Sequence, residues 1–192
     1  MVSRILFIIL LFPVLLSAQE SEQGIVRAGL LRTQGTISFG KLLTSKESTM
    51  YLQGNLEYYI SEKISARSDI FYYLKSNELN SLDINHQLFS GTSYHINTNG
   101  NFNPYIGFQP GIAITKSSPP LVAIPEYSAI KTSTSLTPLI STVIGFNFFA
   151  YKWFHLFMDM RYVYGNHLSN VAPVSLSEFR FSFGLGFNIN TK

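Results

Sequence analysis

Residues 178–190 alternate without a break between bulky apolar side chains (Phe179, Phe181, Phe183, Leu185, Phe187, Ile189) and charged, polar or small ones (Glu178, Arg180, Ser182, Gly184, Gly186, Asn188). A helix cannot use such a pattern. A period of two sends successive side chains to opposite faces of a sheet, so one face of this segment meets hydrocarbon and the other meets water or polar neighbours. Repeated over about 10 residues at a time, the same alternation marks the transmembrane β-barrel.

The alternation recurs through the chain. Trp153–Tyr164 sets Phe154, Leu156, Met158, Met160, Tyr162 and Tyr164 against His155, Asp159 and Arg161, and Leu136–Phe148 sets Ile140, Ile144, Phe146 and Phe148 against Ser141, Gly145 and Asn147. Ala150-Tyr151-Lys152 reads as the tight turn between them. Further strands are expected at 104–114, where Pro110 calls for a bulge because it cannot donate to a ladder, and at 84–96, 63–74 and 50–60. At 84–96 His86 falls on the apolar parity. The first strand, about Gln34–Leu43, is less regular, and 24–32 either extends it or forms a short plug or amphipathic segment. The count is eight, with short connections at 61–62, 97–102 and 150–152 and longer ones at 75–83, 116–134 and 165–176. An even count with alternating short and long connections fits a single-chain barrel, the long set outside and both chain ends in the periplasm.

Residues 1–18 read as a secretory signal, with Arg4 before the apolar run Ile5–Leu16 and a small-residue end at Ser17-Ala18, so export is expected and 19–192 forms one domain. No later run is apolar for about 18 residues, so membrane insertion requires closed strands. The absence of cysteine excludes disulfides and thiolate zinc sites. Aromatic residues make up 15% of the chain and charged residues 13%, in keeping with a lipid-facing surface; the net charge of +3 is scattered and gives no nucleic-acid-binding field.

The strand pattern, the stretch PYIGFQPGIA at 104–113 and the hairpin GFNFFAYKWFHLFMDMRY at 145–162 resemble the small OmpA-like and OmpX-like outer-membrane barrels, of a Bacteroidota type. The resemblance implies an eight-stranded antiparallel up-and-down barrel in the outer membrane of a Gram-negative cell. Implied partners are outer-membrane lipid and lipopolysaccharide, and the barrel-assembly machinery during insertion. The implied state is a monomer without cofactor or metal.

On this reading Ile144, Phe146, Met158, Met160, Phe179, Phe181, Phe183, Leu185 and Phe187 face lipid. Glu57, Arg67, Asp69, Asp159, Arg161, Glu178 and Arg180 face the lumen, which in an eight-stranded barrel is just wide enough for side chains to fill. Tyr58, Tyr59, Tyr72, Tyr73, Trp153, Phe154, Tyr162 and Tyr164 are expected in interfacial girdles.

A second constellation is His167, Ser169 and Glu178, a hydroxyl, an imidazole and a carboxylate of the types used in nucleophilic hydrolysis. His-x-Ser-Asn late in an eight-stranded barrel also resembles the lipid A 3-O-deacylases, which would make His167 the base, Ser169 the nucleophile and Glu178 the orienting acid. The parity of His167 and Ser169 matches the lumen-facing set, and the non-enzymatic reading is preferred. A third possibility, a soluble barrel with a hydrophobic ligand inside, requires apolar residues within and polar ones outside.

Overall fold

The computed structural model describes residues 25–74, 81–96, 100–118, 134–168 and 174–190. Eight strands follow one another: β1 Leu30–Leu42, β2 Ser48–Tyr59, β3 Ile64–Leu74, β4 Leu82–His95, β5 Phe102–Ser117, β6 Ser135–Tyr151, β7 Phe154–Tyr164 and β8 Glu178–Asn190. Each pairs antiparallel with the next, and β8 pairs with β1, closing an up-and-down barrel. Closure satisfies every edge, the condition for strands to cross lipid. No helix among the described residues is long and apolar enough to cross a membrane.

The alternation legible in each strand is the alternation of burial. Along β7, His155, Phe157, Asp159, Arg161 and Val163 are buried, while Leu156, Met158, Met160, Tyr162 and Tyr164 are exposed. Glycines on the inward parity leave room for large neighbours: a Cβ on Gly111 would collide with the Phe89 ring, and one on Gly186 with the His155 imidazole. Ser61 shapes the β2–β3 turn by accepting the N–H groups of Lys63 and Ile64 at 3.3 and 3.1 Å.

Three local features differ from the sequence expectation, and one open alternative is resolved. Pro110 makes no bulge: β5 runs unbroken past it, and the β4–β5 pairing keeps one register on both sides, from Phe89↔Gly111 to Thr92↔Phe108. The missing donor is absorbed by leaving the intervening rungs unformed on the β4 side, while Pro110 still pairs with Ile140 of β6. The register shifts instead at Leu82/Ile84 and at Phe148/Tyr151. Ala150 and Tyr151 consequently belong to β6, and the turn narrows to Lys152-Trp153. At the start of the barrel, β1 begins at Leu30, so 30–32 extends the strand.

Candidate functional site: the lumen and the outer rim

The inner face carries charge in equal and opposite amounts. Arg32, Arg67, Arg161 and Arg180 are buried there with Glu57, Asp69, Asp159 and Glu178. In an interior largely shut off from water each charge requires a partner of opposite sign and hydrogen bonds for its remaining polar atoms.

Near the short-turn end Arg32 pairs with Glu57. The same carboxylate lies 2.9 Å from Nε2 of His95, whose Nδ1 is 2.8 Å from Oδ1 of Asn103. Gln34 bridges Asn147 (3.1 Å) and His155 Nε2 (2.8 Å), and His155 Nδ1 lies 2.7 Å from Asn188 Oδ1. Gln34 donating to Nε2 while Nδ1–H donates to Asn188 makes that imidazole the neutral Nδ1–H tautomer.

Midway along the barrel Asp69 gathers four donors. Arg67 grips it in bidentate fashion (2.9 and 2.9 Å), Arg161 approaches at 2.7 Å, Gln109 at 2.8 Å and Asn55 at 3.1 Å. Arg67 also reaches Asp159 at 3.0 Å, and Arg161 donates to Ser141 at 2.7 Å.

Toward the long-loop end Arg180 pairs with Glu178 at 2.6 Å and donates to Gln87 at 2.8 Å, while Tyr51 donates to Glu178 at 3.0 Å. The guanidiniums lie over rings: Arg180 is 4.0 Å from the Tyr51 centroid and 4.6 Å from that of Phe71, and Arg161 is 5.0 Å from that of Phe89. Above them an apolar cluster occupies the lumen mouth, with Tyr73, Leu82, Leu139 and Val163 from four strands and Leu176 from the β7–β8 connection. The described ends of that connection pair with each other, as Leu176 N–H donates to Gly165 O and His167 N–H donates to Val174 O, both at 2.8 Å.

All seven charged residues assigned to the lumen from sequence are buried on the inner face, and the nine assigned to lipid lie on outward positions with their side chains exposed or, for Phe146, partly exposed. Arg32 was missed because it precedes the regular part of the first strand. Two of the girdle tyrosines are placed differently: Tyr59 and Tyr73 point into the lumen, since each sits one residue out of phase with its outward neighbour Tyr58 or Tyr72. The inward apolar side chains Tyr51, Phe71 and Phe89 had no sequence signal beyond parity.

His167 and Glu178 have separate partners. His167 is buried, with Nδ1 2.7 Å from Thr115 Oγ1 and 3.1 Å from Ser135 Oγ, and desolvation holds its imidazole below the ordinary histidine range. Glu178 is occupied by Arg180, Tyr51 and Thr49. Ser169 lies outside the described residues. No cluster of three metal-ligating side chains occurs among the described residues. The sidedness demanded of a soluble ligand-binding barrel is reversed here, with charge inside and hydrocarbon outside.

No protein-family model matches the chain, and no curated protein is significantly similar to it in sequence. Solved structures do share its architecture. Neisserial surface protein A superposes with a TM-score of 0.67 at 13% identity, covering 84% of this chain and 98% of that one. The outer membrane protein OprG of Pseudomonas aeruginosa gives 0.64 at 13% identity, covering 86% and 98%. Ail, the attachment invasion locus protein of Yersinia pestis, gives 0.55 at 10% identity, covering 84% and 99%. At such identities the likeness is one of fold.

Proposed function

We propose that this chain is an integral, non-enzymatic outer-membrane protein of the OmpA-like and OmpX-like kind, which spans the membrane with a filled barrel and presents its long connections, 75–83, 116–134 and 165–176, outside the cell. The observation that carries this is sidedness in a closed barrel. Outward positions hold large hydrocarbon side chains in the open, among them Phe183 at 55% and Leu136 at 62% exposure, which in water would be a large apolar patch. In a bilayer they replace nothing but lipid contacts.

The paired charges and the apolar mouth support a lumen that carries no ion current, since each of the four buried arginines is ion-paired with a buried carboxylate and hydrocarbon side chains fill the space above them. The surroundings of His167 lend nothing to the deacylase alternative, because the carboxylate that would orient it is bound to an arginine. Interaction with outside partners falls to the connections, whose ligand the barrel does not define.

Membrane fractionation with a heat-modifiability gel tests the reading. Detergent-dependent extraction and a change of apparent mass on boiling are expected; recovery in the soluble periplasm without such a change would sink it. Planar-bilayer recording is expected to show no steady conductance.

A further inference from the structure

His86 is the one histidine on the outward face of the strands, and its ring is held in a defined pose. The β3–β4 ladder ends at Phe71↔Gln87, and the next backbone donor, the Tyr73 N–H, is taken by His86 Nδ1 at 3.0 Å. A ring nitrogen that accepts a hydrogen bond leaves the proton on the other one, so Nε2 is a donor. Stacking against Tyr72, with centroids 4.2 Å apart and planes 16° from parallel, stops the ring from turning. Nε2–H is thus fixed and faces away from the ladder.

A lysine stands beside it. On β5, Lys116 lies opposite Ile84 and Ile114 opposite His86, so Lys116 is the diagonal neighbour of the imidazole on the same wall. It is half-buried, and its ammonium has no ion-pair partner among the described residues. The outward positions of β3, β4 and β5 carry no carboxylate apart from Asp83 at the β4 irregularity, which accepts the Ser118 hydroxyl at 3.1 Å. All of this lies toward the long-loop end of the wall, the end expected to meet the outer leaflet.

We propose that His86 Nε2–H, the Lys116 ammonium and the Tyr72 hydroxyl together bind the phosphate group of an anionic lipid headgroup in the outer leaflet. The inference rests on the membrane reading above. Its chemistry is that of a site rich in donors and without a carboxylate of its own: a fixed N–H, a point positive charge on a flexible stem and a phenol hydroxyl able to donate, set where headgroup phosphates meet the hydrocarbon boundary. The apolar stems of Lys116 and the stacked rings face the first carbons of the lipid, so one surface accommodates both parts of the ligand.

The test uses the full chain in phosphatidylcholine nanodiscs doped with phosphorylated lipid A, with retained lipid counted by native mass spectrometry and the His86 ring followed by 15N NMR. The wild type is expected to retain phosphorylated lipid A about tenfold more than a His86→Phe, Lys116→Leu double variant, the loss expected for charge-assisted hydrogen bonds. Lys41→Leu, on the far wall, should behave as wild type. Dephosphorylated lipid A should not be retained and should leave the His86 resonance unmoved. Equal retention by the double variant, or equal retention of the dephosphorylated lipid, would overturn the proposal. A His86 shift produced by inorganic phosphate alone, without lipid, would overturn the assignment to a headgroup. The heat-modifiability gel is run on every sample: a double variant that keeps its mobility change yet loses the lipid supports the site, whereas a wild type lacking that change defeats the membrane reading itself.

Discussion

Each strand of this barrel builds two surfaces from alternate residues, and the two obey different rules. On the outside Phe181, Phe183 and Leu185 need only be apolar, since lipid adapts to their shape. On the inside Arg67, Asp69 and Arg161 need particular partners at particular distances, and one of those pairs joins residues 92 positions apart in the chain. A neighbouring position can therefore differ entirely in what it tolerates. The outer wall is governed by chemical class, the inner by identity.

The sharpest way to break this contrast is to remove the hub of the lumen. Asp69→Ala leaves Arg67 and Arg161 without their shared carboxylate, and a loss of about 3–5 kcal/mol is expected, read as a lower urea midpoint for the heat-modifiable form. Asp69→Asn, which keeps the shape but not the charge, should fall between Ala and wild type. On the outer wall only a change of class should matter: Phe183→Arg, near the middle of β8, is expected to cost about 2–4 kcal/mol in the same assay.

A matched pair of conservative changes then sharpens the distinction. Phe71→Leu removes a ring beneath Arg180 and beside Tyr51 and Phe89, with an expected cost of about 1–2 kcal/mol. Phe183→Leu makes the same substitution outside and should change stability by less than about 0.5 kcal/mol. If the two proved equal, the claim that inside and outside differ in specificity would fail. The smallest effect belongs to His167→Ala and Ser169→Ala: mass spectrometry of lipid A from cells expressing them, the wild type or none should give one acylation pattern throughout.

Strand number, closure and the face of nearly every residue were legible because a period of two is local and needs no knowledge of the rest of the chain. Phase errors were costly for the same reason. In Tyr58-Tyr59 and Tyr72-Tyr73 two identical residues occupy opposite faces, and residue type could not say that Tyr59 packs against His95 inside the barrel with centroids 4.5 Å apart. Pro110 misled because a missing donor suggests a bulge, whereas the sheet leaves rungs unformed and keeps its register. His86 broke the pattern, and only the end of the β3–β4 ladder explains why an imidazole stands among outward hydrocarbons. Ion-pair partners were invisible, since parity supplies a face but the barrel's stagger chooses who meets whom across the axis.

The seam between β1 and β8 has a kinetic consequence. Its rungs, such as Leu31↔Ile189 and Phe39↔Phe181, join the two ends of the sequence, whereas each of the other seven strand pairs links neighbours in the chain. Hairpins can form early and cheaply in entropy, yet two unsatisfied borders persist until the final strand docks, and that last docking spans the longest chain separation of all. Trimming even half of β8 should leave a species that is rich in sheet, open along one side and prone to join borders with its own kind.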